Sequence, residues 1–132
     1  MHNQNIRQPF DLLVLLVDSD DESRDGDERV LRHAGYRVES VPSGLHAQQI
    51  LDREEVALIV TEQVMIGVDG LSLLTFIRKR TPRVRRVLAT RRPSGELVMR
   101  ARVDAGARTL LRPIKPEKLL SVVREELDAY QS

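Results

Sequence analysis

The sequence of 132 residues has no cysteine and no tryptophan, and aromatic residues make up only 3% of it. Without cysteine there can be no disulfide scaffold, no thiol nucleophile and no zinc site of the cysteine type. With so few aromatic rings, the core must consist of leucine, valine, isoleucine and alanine. The three histidines, His2, His33 and His46, do not have the spacing of metal ligands.

Long apolar runs are also missing. No run approaches the roughly 20 residues that span a bilayer, and Met1–Phe10 is polar, unlike a signal peptide. The length suits one domain, and 41% hydrophobic with 31% charged residues is typical of a globular chain. These features predict a soluble, cytoplasmic protein with an N-terminal tail at residues 1–10 and one domain at residues 11–130.

Charge is distributed unevenly along the chain. Residues 1–77 carry 14 acids and 6 bases, whereas residues 78–118 carry 3 acids and 14 bases. The segment Asp18–Glu28 alone holds seven acids and one arginine. The acidic half is expected to attract cations, and the Arg-rich half is either an anion-seeking surface or a solvated face.

Hydrophobic periodicity predicts an alternation of five strands and five helices. Leu12–Val17 and Val56–Thr61 are continuously apolar, as in buried strands, and the alternating pattern of Tyr36–Val41 is typical of an edge strand. This alternation favours right-handed crossovers and a parallel sheet covered on both faces. The other predicted elements are strands Val84–Thr90 and Ala107–Leu111, and helices Asp20–Ala34 (weak in its polar first half), Ser43–Asp52, Gly70–Arg80, Ser94–Ala105 and Pro116–Ala129, with Ser43, Asp69 and Ser94 as helix caps.

Polar side chains stand where four of these strands end. In parallel sheets of this kind, ligands bind beyond the carboxyl ends of the strands. Carboxylates, hydroxyls and a guanidinium are therefore expected to converge at this edge. They belong to Asp18, Ser19, Asp20, Glu62, Thr90 and Arg112.

The motifs around these positions resemble the receiver domain of two-component response regulators. The resemblance implies a flavodoxin-like, doubly wound α/β fold with a five-stranded sheet of order 2-1-3-4-5 and five helices. It also implies phosphoryl transfer from a histidine kinase to an aspartate after the third strand, supported by magnesium and a lysine. The matching motifs are LVLLVD ending at Asp18, AGY at Ala34–Tyr36, SG at Ser43–Gly44, LIVTEQVMIGVDG at Leu58–Gly70, VLAT at Val87–Thr90, DAGA at Asp104–Ala107 and LLRP at Leu110–Pro113.

The sequence departs from the family pattern at the positions that carry the chemistry. The phosphoacceptor aspartate of the family falls on Glu62, the second acid after the first strand on Ser19, and the lysine on Arg112. Thr90 matches the switch hydroxyl, and Arg91 follows it where the family has a small residue. These coherent changes predict a degenerate receiver, or pseudo-receiver, that acts without phosphorylation and without catalysis.

The same departures bear on cofactors. The resemblance assigns magnesium to Asp18, Glu62 and the Val64 backbone, within an acidic pocket of Asp18, Ser19 and Asp20. Because Ser19 is neutral and magnesium prefers charged oxygen ligands, weak or no magnesium binding is expected, and no other cofactor. In place of the metal, Glu62 is expected to pair, ionised, with Arg112, Arg91 or both.

The resemblance also implies protein partners: a histidine kinase, an output domain or a downstream effector. The fourth and fifth helices form the family's common dimer and output face. A homodimer or an acidic partner is therefore expected at this basic face, with no membrane and no specific nucleic acid involved. The basic residues on or near the face are Arg100, Arg102, Arg108, Lys115 and Lys118.

Two functions of other classes remain open from the sequence. Asp18 and Asp20 resemble the DxD motif of haloacid-dehalogenase-type phosphatases, as nucleophile and acid/base. The Arg-rich half could instead bind nucleic acid non-specifically through phosphates. A magnesium-dependent phosphatase assay and a salt-titrated DNA-binding assay would distinguish these functions from that of a receiver.

Overall fold

The computed structural model describes residues 8–132 and consists of strands that alternate with helices along the chain. The ends of the predicted elements lie within two residues of the observed ones. In chain order the elements are β1 (Leu13–Val17), α1 (Asp21–His33), β2 (Arg37–Val41), α2 (Gly44–Arg53), β3 (Val56–Glu62), α3 (Gly70–Arg80), β4 (Arg85–Thr90), α4 (Gly95–Ala105), β5 (Arg108–Leu111) and α5 (Pro116–Gln131).

The five strands form one parallel sheet of order β2-β1-β3-β4-β5. This order confirms the flavodoxin-like fold, and it places β2 at an edge as its alternating pattern predicts. The central strands β1 and β3 are buried along their whole length, because helices cover both faces of the sheet. β1 and β3 pair with Val17 beside Thr61, so that Asp18 and Glu62 end neighbouring strands.

Two separate hydrophobic cores hold the helices on the sheet. On one face, Leu31 of α1 and Leu119, Val123 and Leu127 of α5 pack on the strands. On the other face, the strands are covered by α2, α3 and α4. As the composition requires, both cores are aliphatic apart from Tyr36 and Tyr130.

Three helices begin at the caps that the sequence predicts. The side chains of Ser43, Asp69 and Ser94 each accept a hydrogen bond from the backbone N–H three residues later. Helix α1 has no such side-chain bond at Asp20. Its start is held instead by Arg24, which donates to the Asp18 carbonyl at 2.7 Å and pairs with Asp21.

The start of α3 lies very close to the end of β3. A Cβ at Gly70 would clash with the Glu62 carbonyl oxygen, so only glycine fits there. The Gly70 N–H donates to the Gln63 carbonyl at 2.9 Å. These contacts fix the backbone directly after Glu62.

At the N-terminus, residues 1–7 of the predicted tail lie outside the described residues. Pro9–Asp11 form a short 3-10 helix, and the Phe10 ring lies 5.0 Å from that of Tyr36. The ordered packing therefore begins before residue 11. Within residues 8–132, no helix has the length and apolar character of a membrane span.

Candidate functional site

The strand ends bring the predicted side chains to one edge of the sheet. Asp18 follows β1, Glu62 ends β3 and Thr90 ends β4, and all three are buried. Arg112 follows β5, and its N–H donates to the Thr90 carbonyl at 2.8 Å. The structure thus places side chains from four strands in one cluster.

Arg112 lies at the centre of this cluster, with its side chain only 5% exposed. Its three guanidinium nitrogens face three different carboxylates. Nε is 2.6 Å from Glu62 Oε1, Nη1 is 2.9 Å from Asp27 Oδ2, and Nη2 is 3.4 Å from Asp18 Oδ2. The ion pair expected between Glu62 and Arg112 is present, and one cation is shared among three acids.

These three contacts differ in quality. The pair with Asp27 is a directed hydrogen bond. The Nε–H of Arg112 is not aligned with Glu62 and makes no directed hydrogen bond, and Asp18 Oδ2 is buried without one. Asp27 is therefore the best-directed anchor of the guanidinium, while Glu62 and Asp18 act mainly through charge.

Asp27 is the site residue that sequence reasoning missed. It belongs to α1 rather than to a strand end, and in the sequence it is only one acid of the segment Asp18–Glu28. Its position four residues before the buried Leu31 places it on the helix face that turns toward the sheet. That spacing is the signal that could have identified it.

Burial sets the electrostatics of the cluster. It raises the pKa of Glu62 and of Asp27 above their ordinary values, and the positive charge of Arg112 opposes this rise in both cases. Burial alone would lower the pKa of Arg112, but Asp27, Asp18 and Glu62 together raise it. Arg112 is therefore charged throughout the physiological range, and the carboxylates outnumber it.

The magnesium ion that the resemblance implies does not fit this set of donors. Asp18 Oδ1 accepts the Asp20 N–H at 2.9 Å, and Glu62 Oε2 accepts the Gln63 N–H at 3.2 Å. The remaining oxygen of each carboxylate faces Arg112. Within the described part of the chain, no three His, Asp or Glu side chains have an arrangement that could hold a metal.

Arg91 does not join the cluster. Its Nη2 donates to Ser23 at 3.0 Å, and it makes no ion pair with Glu62 among residues 8–132. Thr90 accepts the Arg92 N–H at 3.1 Å. A cleft opens above the cluster, and Arg112 lies beneath it. The residues that line the cleft are Asp18, Ser19, Asp20, Ser23, Glu62, Val64, Thr90, Arg91 and Arg92.

The predicted basic face on α4 and α5 is partly neutralised. Arg108 pairs with Glu125 at 2.8 Å and with Glu126 at 3.4 Å, and Arg100 lies 3.4 Å from Asp104. Arg102, Lys115 and Lys118 are exposed. The face is therefore less basic than residue counting suggests, because α5 supplies acids to β5.

A family model matches this fold and this arrangement of strand ends. The model for the response regulator receiver domain aligns with residues 14–124, most of the chain. The chain belongs to the response regulator receiver domain family. The receiver fold is also found in a solved signal receiver domain of an HD domain-containing protein from Pseudomonas fluorescens Pf-5. That structure has a TM-score of 0.86 and 27% identity, over 90% of this chain and 96% of the other.

Curated relatives extend the likeness to longer proteins. The receiver is 31% identical over 117 residues to the hydrogenase transcriptional regulatory protein HoxA of Cupriavidus necator, covering 88% of this chain and 24% of the relative. It is 32% identical over 112 residues to the two-component response regulator-like protein APRR5 of Arabidopsis thaliana, covering 82% of this chain and 20% of the relative. The receiver thus spans a quarter or less of these relatives.

Membership establishes the general role of the chain. Receiver domains are signalling modules of two-component systems. The roles assigned to Glu62, Ser19 and Arg112 within that framework remain predictions.

Proposed function

We propose that this receiver domain signals by protein–protein contact without accepting a phosphoryl group. The observation that carries the proposal is the Glu62–Arg112 pair, 2.6 Å apart at the acceptor position. Glu62 Oε1 faces the guanidinium, and Oε2 accepts a backbone N–H. Neither oxygen is directed freely into the cleft, where a phosphoryl donor would have to approach in line.

Geometry adds a second reason. A glutamate places its carboxylate about one bond length, roughly 1.5 Å, further from the backbone than an aspartate, and displacements near 1 Å are costly in phosphoryl transfer. The backbone after Glu62 cannot shift to compensate, because Gly70 packs against the Glu62 carbonyl. With Ser19 and Arg112 also changed, the pocket lacks the parts that such a transfer uses.

The test is intact-protein mass spectrometry after incubation with acetyl phosphate and magnesium. We expect no phosphoryl adduct on the wild-type chain and none on Glu62→Asp alone. The triple variant Ser19→Asp, Glu62→Asp, Arg112→Lys is the matched positive control, and it should gain an adduct. An adduct on the wild-type chain that maps to an acid of the cleft would overturn the proposal.

We further propose that contact is made through the face of α4, β5 and α5, in the cytoplasm and away from membranes. Exposed Arg102, Lys115 and Lys118 supply the remaining positive charge of this face, and Leu111 of β5, 60% exposed, supplies an apolar contact. Charge reversal at Arg100 and Arg102 should weaken homodimer formation in sedimentation velocity. A monomer before and after reversal would contradict the homodimer.

No observation favours either function of another class. Asp18, the nucleophile of a phosphatase, lines the cleft but is only 3% exposed, and its two oxygens face the Asp20 N–H and Arg112. Many arginines of the second half have partners within the chain: Arg85, Arg100 and Arg108 pair with acids, and Arg86 donates to backbone carbonyls. This leaves less charge for phosphate contacts than the composition suggests.

A further inference from the structure

The cluster of Asp18, Asp27, Glu62 and Arg112 at the strand ends contains a positive charge supplied by the chain itself. We propose that Arg112 is the resident cation of this cluster, that Asp27 holds it there, and that it excludes divalent metal ions. The inference rests on the proposed function in one respect: no phosphoryl group is present on Glu62 to compete for the guanidinium. Beyond the proposed function, it identifies the cation that occupies the cluster, and it assigns Asp27 on α1 as the positioning residue.

The Arg112 guanidinium lies beneath the cleft and faces the two carboxylate oxygens, one of Asp18 and one of Glu62, that a bridging metal would need. The guanidinium is 2.6 Å from one of these carboxylates and 3.4 Å from the other. A divalent ion placed between them would be within a few ångströms of a full positive charge in a poorly solvated site, where like charges repel strongly. A metal bound to those two oxygens would therefore require Arg112 to move away from them.

Asp27 is what keeps Arg112 from leaving. Its hydrogen bond to Nη1, at 2.9 Å, is the directed contact of the cluster. The other two acids leave the guanidinium poorly satisfied, since Arg112 Nε and Asp18 Oδ2 are both buried without a directed bond. Without Asp27, the guanidinium would keep charge attraction but lose the contact that fixes its orientation.

The buried Asp18 Oδ2 also indicates which groups would surround the space left by the Arg112 guanidinium if it were removed. This oxygen points toward Nη2 and has no directed partner. If the guanidinium is removed, Asp18, Asp27 and Glu62 remain around the space it filled. Without a cation, their negative charges attract a divalent ion to that space, although in the wild-type arrangement of the described residues they form no ready coordination shell.

The test measures metal binding to the full chain with no phosphoryl donor present. Mn²⁺ binding is followed by electron paramagnetic resonance and Mg²⁺ binding by calorimetry. We expect Arg112→Met, which keeps length and apolar bulk, to bind Mn²⁺ about tenfold more tightly than wild type or better. Equal affinity in a folded Arg112→Met protein, or tight stoichiometric binding by wild type, would overturn the inference.

A second variant keeps the test decisive if Arg112→Met alone unfolds. In Arg112→Met/Asp27→Asn one of the three unpaired acids is neutral, so the fold should tolerate the loss of the cation better. Circular dichroism checks folding, and a gain in Mn²⁺ affinity over wild type is still expected, smaller than that of Arg112→Met because one carboxylate is now neutral. Failure of the folded double variant to bind Mn²⁺ more tightly than wild type would also overturn the inference.

Asp27 has its own readout and a matched control. The Mn²⁺ affinity of Asp27→Asn should lie between those of wild type and Arg112→Met, because Arg112 can then move away from Asp18 and Glu62. Asp25→Asn changes an exposed acid on the same helix and should leave the affinity unchanged. A purely structural role for Asp27 would leave metal affinity at the wild-type value.

These outcomes are separate from those of the phosphorylation assay. Metal binding by wild type would overturn the resident cation without deciding whether Glu62 accepts a phosphoryl group. Conversely, a phosphoryl adduct found without tight metal binding would overturn the proposed function and leave the exclusion of metal standing.

Discussion

Two buried arginines, in different parts of the molecule, show how one residue type can serve two purposes. Arg86 of β4 and Arg112 after β5 are both less than a tenth exposed. Arg86 donates to the backbone carbonyls of Pro82, Val84 and Ala105, so its partners are neutral. Arg112 instead faces three carboxylates.

The electrostatic consequences are opposite. Burial, with help from Arg78 and Arg85, lowers the pKa of Arg86, whereas carboxylates raise the pKa of Arg112. Arg86 donates hydrogen bonds to backbone carbonyls at the end of α4 and before β4, so its role is to stabilise the fold. Arg112 balances buried negative charge, so its removal affects ionisation as well as packing.

The largest effect is expected at Arg112. Arg112→Met leaves three carboxylates in the interior without a cation, which should lower the free energy of unfolding by about 3–5 kcal/mol near neutral pH. Without the cation, the folded-state pKa values of Asp27 and Glu62, already raised by burial, rise further, so the folded protein binds more protons than the unfolded one. Stability of the variant should therefore fall as pH rises from about 5 to 7. Urea titration at both pH values measures this, and a pH-independent loss would contradict it.

Arg86→Met should cost less and show a different signature. It leaves backbone carbonyls without donors, and the expected loss is about 1–3 kcal/mol. No carboxylate is released, so the loss should be the same at pH 5 and pH 7. Paired urea titrations of the two variants sharpen the comparison, and a pH-dependent loss at Arg86 would break it.

Glu62→Gln should have a small effect, because Arg112 retains Asp18 and Asp27. Because the pair is buried, the expected loss in unfolding free energy is about 1–2 kcal/mol. Since burial raises the pKa of Glu62 above its ordinary 4.5, wild type loses stability relative to the variant as pH rises from 4.5 through that raised value. The Glu62→Gln substitution should therefore be more costly at low pH than near neutrality. Thermal melts across this range test the sign.

The smallest effect is expected at Arg108, outside both buried sites. Arg108→Gln removes an exposed pair with Glu125, while Glu126 keeps Arg85 as its partner. The expected loss is under about 1 kcal/mol and should shrink further in high salt. A loss as large as that at Arg86 would show that surface pairing matters more here than burial.

Much of the fold could be predicted from the sequence, because its signals are local. Continuous apolar runs identify β1 and β3, and Ser43, Asp69 and Ser94 cap the helices that they precede. Convergence at the site follows from parallel strands ending at one edge. Asp18, Glu62 and Arg112 could be placed together for that reason alone.

What the sequence did not reveal depends on side-chain direction across elements. Asp27 joins the site through a helix face, and Arg86, in a stretch interpreted as a solvated face, is buried instead. The weakened basic face has the same origin, since Glu125 and Glu126 reach Arg108 only after α5 docks. Counting charges along the chain cannot show which of them are paired in three dimensions.

The contact between Arg112 and Asp27 also has a kinetic consequence. It joins residues 85 positions apart, so it closes a loop that includes β2, β3 and β4. Contacts of such long range become favourable only after the intervening chain is ordered. The cluster is thus expected to form late in folding, after the transition state. A contact of this kind acts mainly on the rate of unfolding, which it lowers. The rate of folding is then determined by contacts elsewhere in the sheet.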